Sequence, residues 1–189
     1  RMLTVLTEEQ INALLSAPDW RTRLGKRDRA FLHILALGGL RIQEVCSLRM
    51  DELEWEGENL RLTFAGKGGY VRTVSLPPRA VKAIKQHIVG SRSTFVFPGR
   101  GEAPRGHSGH SIRPRTGFDI VAKHAQAAGL PSWVHPHTLR HSYGTRLMRE
   151  TGDLFLVSRV LGHRNIQTTT NYYLAYDKSY ADRAAQVIR

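Results

Sequence analysis

The chain has 189 residues, enough to bury a real core, and its 41% apolar and 23% charged residues are the balance of an ordinary folded domain. Lysine and arginine number 28 against 16 aspartate and glutamate, a net charge of +12 that favours a polyanion such as nucleic acid and argues against acidic-protein or cation-transport roles. No apolar run approaches the roughly 20 residues that cross a bilayer, polar residues interrupt any secretory pattern early, and the lone Cys46 excludes an internal disulfide framework, so a cytoplasmic protein without a membrane partner is expected.

Thr7-Glu8-Glu9-Gln10 reads as a capping box that starts a first helix, with Ile11, Leu14 and Leu15 as its apolar stripe. A second helix is predicted from about Gly25 to Leu37, with Ala30, Phe31, Ile34 and Leu35 inward and Gly38-Gly39 as its stop. A short third helix starts near Leu40 and carries Arg41, Ile42, Glu44, Val45 and Leu48. The period then changes to two. Leu60, Leu62 and Phe64, and later Val74 and Leu76, alternate with polar neighbours on either side of Gly66-Lys67-Gly68-Gly69, a hairpin-turn signal. The stretch from about Leu53 to Leu76 is therefore a small antiparallel sheet. Pro77-Pro78 opens another helix, with Val81, Ile84 and Ile88 on one face, and Phe95-Val96-Phe97 is a short strand or extended segment.

Pro98 to Gly117 is rich in Gly, Pro, Ser, Arg and His with no apolar period, and reads as a long mobile loop. Helices are predicted from about Phe118 to Ala128, with Gly129 as end cap, and then at His137–Arg149, Leu154–Leu161, Ile166–Tyr173 and Lys178–Val187. No repeat and no long linker divides the chain, so residues 1–189 are expected to form a single domain. The fold class is α+β, mostly helical with one small antiparallel sheet.

Five scattered segments carry candidate chemistry: the Gly39–Val45 stretch with Arg41 and Glu44, the turn with Lys67, the Pro136–His141 box with His137 and Arg140, Leu161-Gly162-His163, and Thr168–Tyr173. Singly, each has a bland account. Arg41 reads as a salt-bridging arginine, Lys67 as a solvated turn residue, and His137 and Arg140 as neighbours on one helix face. Together, two arginines, two histidines, a lysine and a late tyrosine are what metal-free phosphoryl transfer requires. Guanidinium forks match the charged non-bridging oxygens of a phosphodiester transition state and keep their protons. A lysine on a hairpin can protonate a leaving oxygen.

In order and local context, these residues resemble the catalytic domain of the tyrosine recombinases, also called the phage-integrase family. The family pattern is an arginine after Gly-Leu with a glutamate three residues on, a Gly-Lys-Gly hairpin, a Pro-His-x-Leu-Arg-His box, Leu-Gly-His, and a tyrosine nine residues after that histidine; Arg41, Glu44, Lys67, His137, Arg140, His163 and Tyr172 stand in those places. The resemblance covers about Thr7 to Asp177. It implies that Arg41, Arg140 and His163 bind the scissile phosphate, that Lys67 is the general acid, and that His137 helps as a base or positions the phosphate. Tyr172 would attack phosphorus to give a 3′-phosphotyrosyl link, with Glu44 orienting Arg41 or His137. It also implies double-stranded DNA as partner, self-association into a tetramer on DNA, no cofactor or metal, and an N-terminal DNA-clamping domain that this chain is read as lacking.

Tyr173 offers a second phenol beside Tyr172, but adjacent residues on a helix point about 100 degrees apart, and the nine-residue step selects Tyr172. The family often has Thr or Ser and then His after the nucleophile, where this chain has Tyr173 and Leu174. A type IB topoisomerase-like enzyme and a non-catalytic DNA-binding relative are the neighbouring alternatives. A zinc enzyme built on His137 and His141 is a third, weakened by the lack of carboxylates around them.

Overall fold

In a computed structural model of the protein, the described residues are 5–65, 71–99, 109–163 and 170. They belong to two compact units, Arg1–Tyr143 and Gly144–Arg189. In the first unit, helix α1 (Glu8–Ser16) starts at the predicted box: the Thr7 hydroxyl accepts from the Gln10 amide and the Gln10 side chain from that of Thr7, at 3.3 and 3.0 Å. Helix α2 (Arg23–Gly38) is the centre of the unit, with every residue from Ala30 to Gly38 buried. It packs against α1, α3 (Ile42–Ser47), α4 (Pro78–Ile88) and α5 (Pro114–Ala127), and against the strand at Val71–Leu76. A helix apolar on all sides is stable only when covered on all sides.

After α3 and a single 3-10 turn at Met50–Glu52, strands β1 (Leu53–Glu56), β2 (Asn59–Ala65) and β3 (Val71–Leu76) form an antiparallel sheet in sequence order. Ala65 pairs with Val71 on either side of the predicted turn, whose residues 66–70 lie outside the described ones. The register sets Leu60 opposite Leu76, Leu62 opposite Val74 and Phe64 opposite Arg72. Leu60, Leu62, Val74 and Leu76 are buried, so this row is the inner face of the sheet.

The stretch read as a mobile loop from Pro98 to Gly117 needs correction at both ends. Gly99 donates to the His110 carbonyl and Ile112 to that of Phe97, Ile112 is buried, and α5 begins at Pro114, before the expected start. Proline is well suited to a helix's first turn, where its missing N–H costs nothing. The apolar period was hidden there because Gly117 supplies the contact instead of an apolar side chain. A Cβ on Gly117 would stand 2.5 Å from Ile42 Cδ1 and 2.8 Å from Phe31 Cζ, so glycine permits α5 to approach α2 and α3. Helices α2 and α5 are also joined by Asp28, 2% exposed, which accepts from His124 Nε2 at 2.9 Å and from Arg27 Nη2 at 2.6 Å.

Helix α6 (Pro136–Thr151) begins in the first unit and ends in the second, where α7 (Leu154–Leu161) follows. Asp153 caps α7 by accepting from the Leu156 amide at 2.9 Å. Of the predicted helices Ile166–Tyr173 and Lys178–Val187, only helical Thr170 falls among the described residues. None of the described helices is long and apolar enough to cross a membrane.

His33, on α2, is 3% exposed, and burial lowers its pKa from 6.5 to about 4 while its Nδ1–H donates to the Arg29 carbonyl. A depressed folded pKa means that the unfolded chain binds the proton first, so the stability held by neutral His33 is complete above about 6.5 and is lost as pH falls toward 4. A depression of that size corresponds to roughly 3 kcal/mol. Urea midpoints measured between pH 7.5 and 4.5 are expected to fall steeply, and His33→Gln should flatten the decline; an unchanged slope in the variant would count against this account.

Candidate active site

The site begins where α2 stops. Gly39 adopts φ +62, the left-handed conformation that ends a helix, and a Cβ there would stand 2.3 Å from Tyr143 Cδ1, a clash. The chain then reaches Arg41, which is not inside α3, as the sequence suggested, but caps its N-terminus in extended conformation. Glu44, three residues on, accepts from the Arg41 amide at 2.7 Å through Oε2 and from Arg41 Nη1 at 3.1 Å through Oε1. Backbone and side chain of Arg41 are thus held by one carboxylate, and the side chain remains 41% exposed.

Arg140 comes to the same place from α6. It is 8% exposed, and its Nη1 donates to the Gly39 carbonyl at 2.6 Å, two residues before Arg41. The first turn of α6 is fixed by a reciprocal cap. The Thr138 amide donates to His135 Nδ1 and the His135 amide to Thr138 Oγ1, both at 3.3 Å. His135 must be neutral at Nδ1 to accept, and burial, with the charge of His137, lowers its pKa. His137, one residue into the helix after Pro136, is exposed, with its ring 6.0 Å from that of His135. Ser142 completes the anchoring by accepting from the Leu6 amide at 2.9 Å and donating to the Thr138 carbonyl at 2.8 Å.

Arg72 was not singled out from the sequence. It lies on the inner face of β3, donates from Nη2 to Glu44 Oε2 at 2.8 Å, and sits over the Phe64 ring at 5.3 Å. The available signal was its phase, since Arg72, Val74 and Leu76 alternate on one face. Burial would raise the Glu44 pKa, but the charges and hydrogen bonds of Arg72 and Arg41 outweigh it and hold the carboxyl below its ordinary value.

In the second unit, Gly162 takes φ +65 at the end of α7. The Gly162 amide donates to the Arg159 carbonyl at 3.1 Å and the His163 amide to that of Ser158 at 3.0 Å, the paired bonds of a Schellman motif. Leu-Gly-His is thus a helix terminator that sets His163 just past the last turn. Lys67, Tyr172 and Tyr173 lie outside the described residues. Among the described residues, no group of three or more His, Cys, Asp or Glu side chains is arranged to hold a metal ion.

A model of the phage integrase family matches residues 4–179. The chain belongs to that family. Among its curated relatives within or beside the family, the tyrosine recombinase XerD of Lacticaseibacillus casei is 33% identical over 171 residues, covering 88% of this chain and 57% of the relative. A tyrosine recombinase of Thermosipho africanus is 33% identical over 94% of this chain and 59% of its own length. The integrase-family chain thus spans somewhat more than half the length of these relatives. In fold it matches a XerH site-specific recombinase, solved bound to palindromic difH substrate as a post-cleavage complex, with a TM-score of 0.80 at 23% identity over 99% of this chain and 54% of that one. The Tn1549 transposon integrase, solved with transposon right end DNA, gives 0.69 at 20% identity, covering all of this chain and 67% of that one. These likenesses establish the α+β, mostly helical fold with its small antiparallel sheet.

Because Gly39 joins a left-handed backbone to a tight approach by Tyr143, Gly39→Ala is expected to destabilise this family member by about 1–3 kcal/mol. Urea unfolding measures it. A stability equal to that of the parent would show that the turn does not need glycine.

Proposed function

We propose that the protein is a site-specific DNA recombinase that cleaves and rejoins double-stranded DNA through a covalent 3′-phosphotyrosyl intermediate. The observation that carries the reading is the meeting of Arg140 with the Gly39 turn, two residues from the Glu44-held Arg41. Two guanidinium groups on separate helices are brought to one short stretch of backbone, as a phosphodiester clamp requires. The names of the curated relatives, tyrosine recombinases XerD and XerC, support strand exchange over simple relaxation of DNA.

In this reading, Arg41, Arg140 and His163 bind the non-bridging oxygens, and exposed His137 positions the phosphate or accepts a proton. The Tyr172 hydroxyl loses its proton and attacks phosphorus. The bond to the 5′-oxygen breaks as Lys67 protonates that oxygen, and a 5′-hydroxyl reverses the sequence on the same or another strand. The phosphotyrosyl bond conserves the energy of the phosphodiester, so no nucleotide is consumed and no cofactor or metal is called for. Both compact units serve one catalytic domain, residues 1–189, that works in the cytoplasm and assembles as a tetramer on DNA.

The test uses nicked duplexes with randomised arms, in which the cleaved end diffuses away and traps the covalent adduct. Parent protein and Tyr173→Phe should both yield an adduct that resists detergent, and Tyr172→Phe should yield none. Adduct that survives Tyr172→Phe would sink the assignment. With a net charge of +12, DNA affinity is expected to fall about 100-fold or more between ~50 and ~200 mM salt, read by fluorescence anisotropy. Equal affinity at both concentrations would contradict an electrostatic clamp.

A further inference from the structure

The residue that caps α6 is one that can change its charge near neutral pH. Helix N-caps are ordinarily Ser, Thr, Asn or Asp, whose oxygens accept a backbone hydrogen bond at neutral and mildly acid pH alike. Here the position belongs to His135, and α6 carries His137 and Arg140 within its first five residues.

The cap is built around Thr138. Its amide is shared between the His135 carbonyl at 2.9 Å and His135 Nδ1 at 3.3 Å, the bifurcated form common at helix ends. Its hydroxyl accepts from the His135 amide at 3.3 Å and donates to the Trp133 carbonyl at 3.2 Å, and its carbonyl accepts from the Ser142 hydroxyl at 2.8 Å. Thr138 is thus engaged at all three of its polar groups, and the His135 ring is the member of this set that titrates.

An amide can only donate, so Nδ1 must be bare and the ring's single proton must sit on Nε2. Protonation would place an N–H opposite the Thr138 N–H, turning an attraction into a repulsion across the same 3.3 Å. It would also set a positive charge at a helix N-terminus, where the backbone is already positive. His135 is exposed, so solvent protons reach it. Among the described residues, the titratable neighbour that acts on it is His137, whose ring lies 6.0 Å away; its charge adds to partial burial in holding the His135 pKa below 6.5.

We infer that His135 is a positioning residue: as a neutral cap it holds the first turn of α6, and with it His137 and Arg140, in the arrangement that engages a phosphate, and acid releases that hold. The consequence for catalysis rests on the cleavage reaction proposed above; the cap itself does not. Because the folded pKa is lowered, the cap is fully present above 6.5 and is lost as pH falls through the lowered value.

Two measurements test it, the first without DNA. In nitrogen-15 spectra at neutral pH, the His135 ring, assigned by its loss in His135→Asn, should show Nδ1 bare and Nε2 protonated. Lowering the pH should then move the Thr138 amide signal with the midpoint of the His135 ring, in a His137→Gln background that removes the neighbouring titration. His135→Asn should abolish that movement. In the trapping assay at neutral pH, His135→Ala should slow adduct formation about 5-fold with DNA affinity kept, the effect of losing one cap. His135→Asn and His135→Ser, which cap without an imidazole, should recover the rate and should lose less of it than the parent as the pH is lowered.

A ring that carries its proton on Nδ1, or a Thr138 amide that ignores the titration of the ring, overturns the inference. So do His135→Asn and His135→Ser variants that are as slow as His135→Ala, which would make the imidazole itself a contact to DNA, or that are as acid-sensitive as the parent. If the parent forms no adduct, the recombinase reading fails and the spectra alone decide the role of His135.

Discussion

Arg140 is 8% exposed and donates to the Gly39 carbonyl at 2.6 Å, and the first unit is arranged around satisfying that guanidinium. A buried arginine keeps its charge and five donors, so it settles only where acceptors are already waiting. The end of α2 provides one. The last carbonyls of a helix have no partner within it and together carry a partial negative charge. Turning the chain at Gly39 exposes a carbonyl to α6 while keeping Leu40 buried, and Arg41 follows at once as the cap of α3. Had the helix continued through residue 39, that carbonyl would have been engaged within it.

Helix ends recur at three of the candidate functional side chains among the described residues. Arg41 caps α3, His137 stands in the first turn of α6, and His163 follows the last turn of α7. The reason is the same each time: a terminus leaves amides or carbonyls without partners, and the residues that satisfy them lock the backbone for a residue or two. Glu44 does so for Arg41, His135 with Thr138 for His137, and Gly162 for His163. A side chain next to such a lock is rigid at its root.

Much of this was legible in the sequence. The Thr7 box, the Gly38-Gly39 stop, the small antiparallel sheet and α7 follow from capping chemistry and hydrophobic period, both local properties. The ordered motifs also led to the family. What escaped were contacts whose cause lies in distant parts of the chain. The start of α5 was hidden because its packing residue is Gly117, invisible to an apolar period. The His135 cap escaped because a histidine cap depends on which ring nitrogen is bare. Arg72 was passed over because its partner, Glu44, is 28 residues away, and the period-two pattern that marks it was read only at its apolar members.

The position of Arg72 bears on how this protein would respond to being made more robust. A buried ion cluster replaced by apolar side chains of similar volume is often neutral for stability or better, since desolvating the charges offsets much of their attraction. A leucine at this position would extend the row of Leu60, Leu62, Val74 and Leu76 without a break. That gain requires the whole cluster to go: a leucine at residue 72 alone would leave half-buried Glu44 without its buried cation, and breaking one side of such a cluster destabilises. Any programme of core optimisation should therefore treat Arg72 and Glu44 as one unit, changed together or not at all.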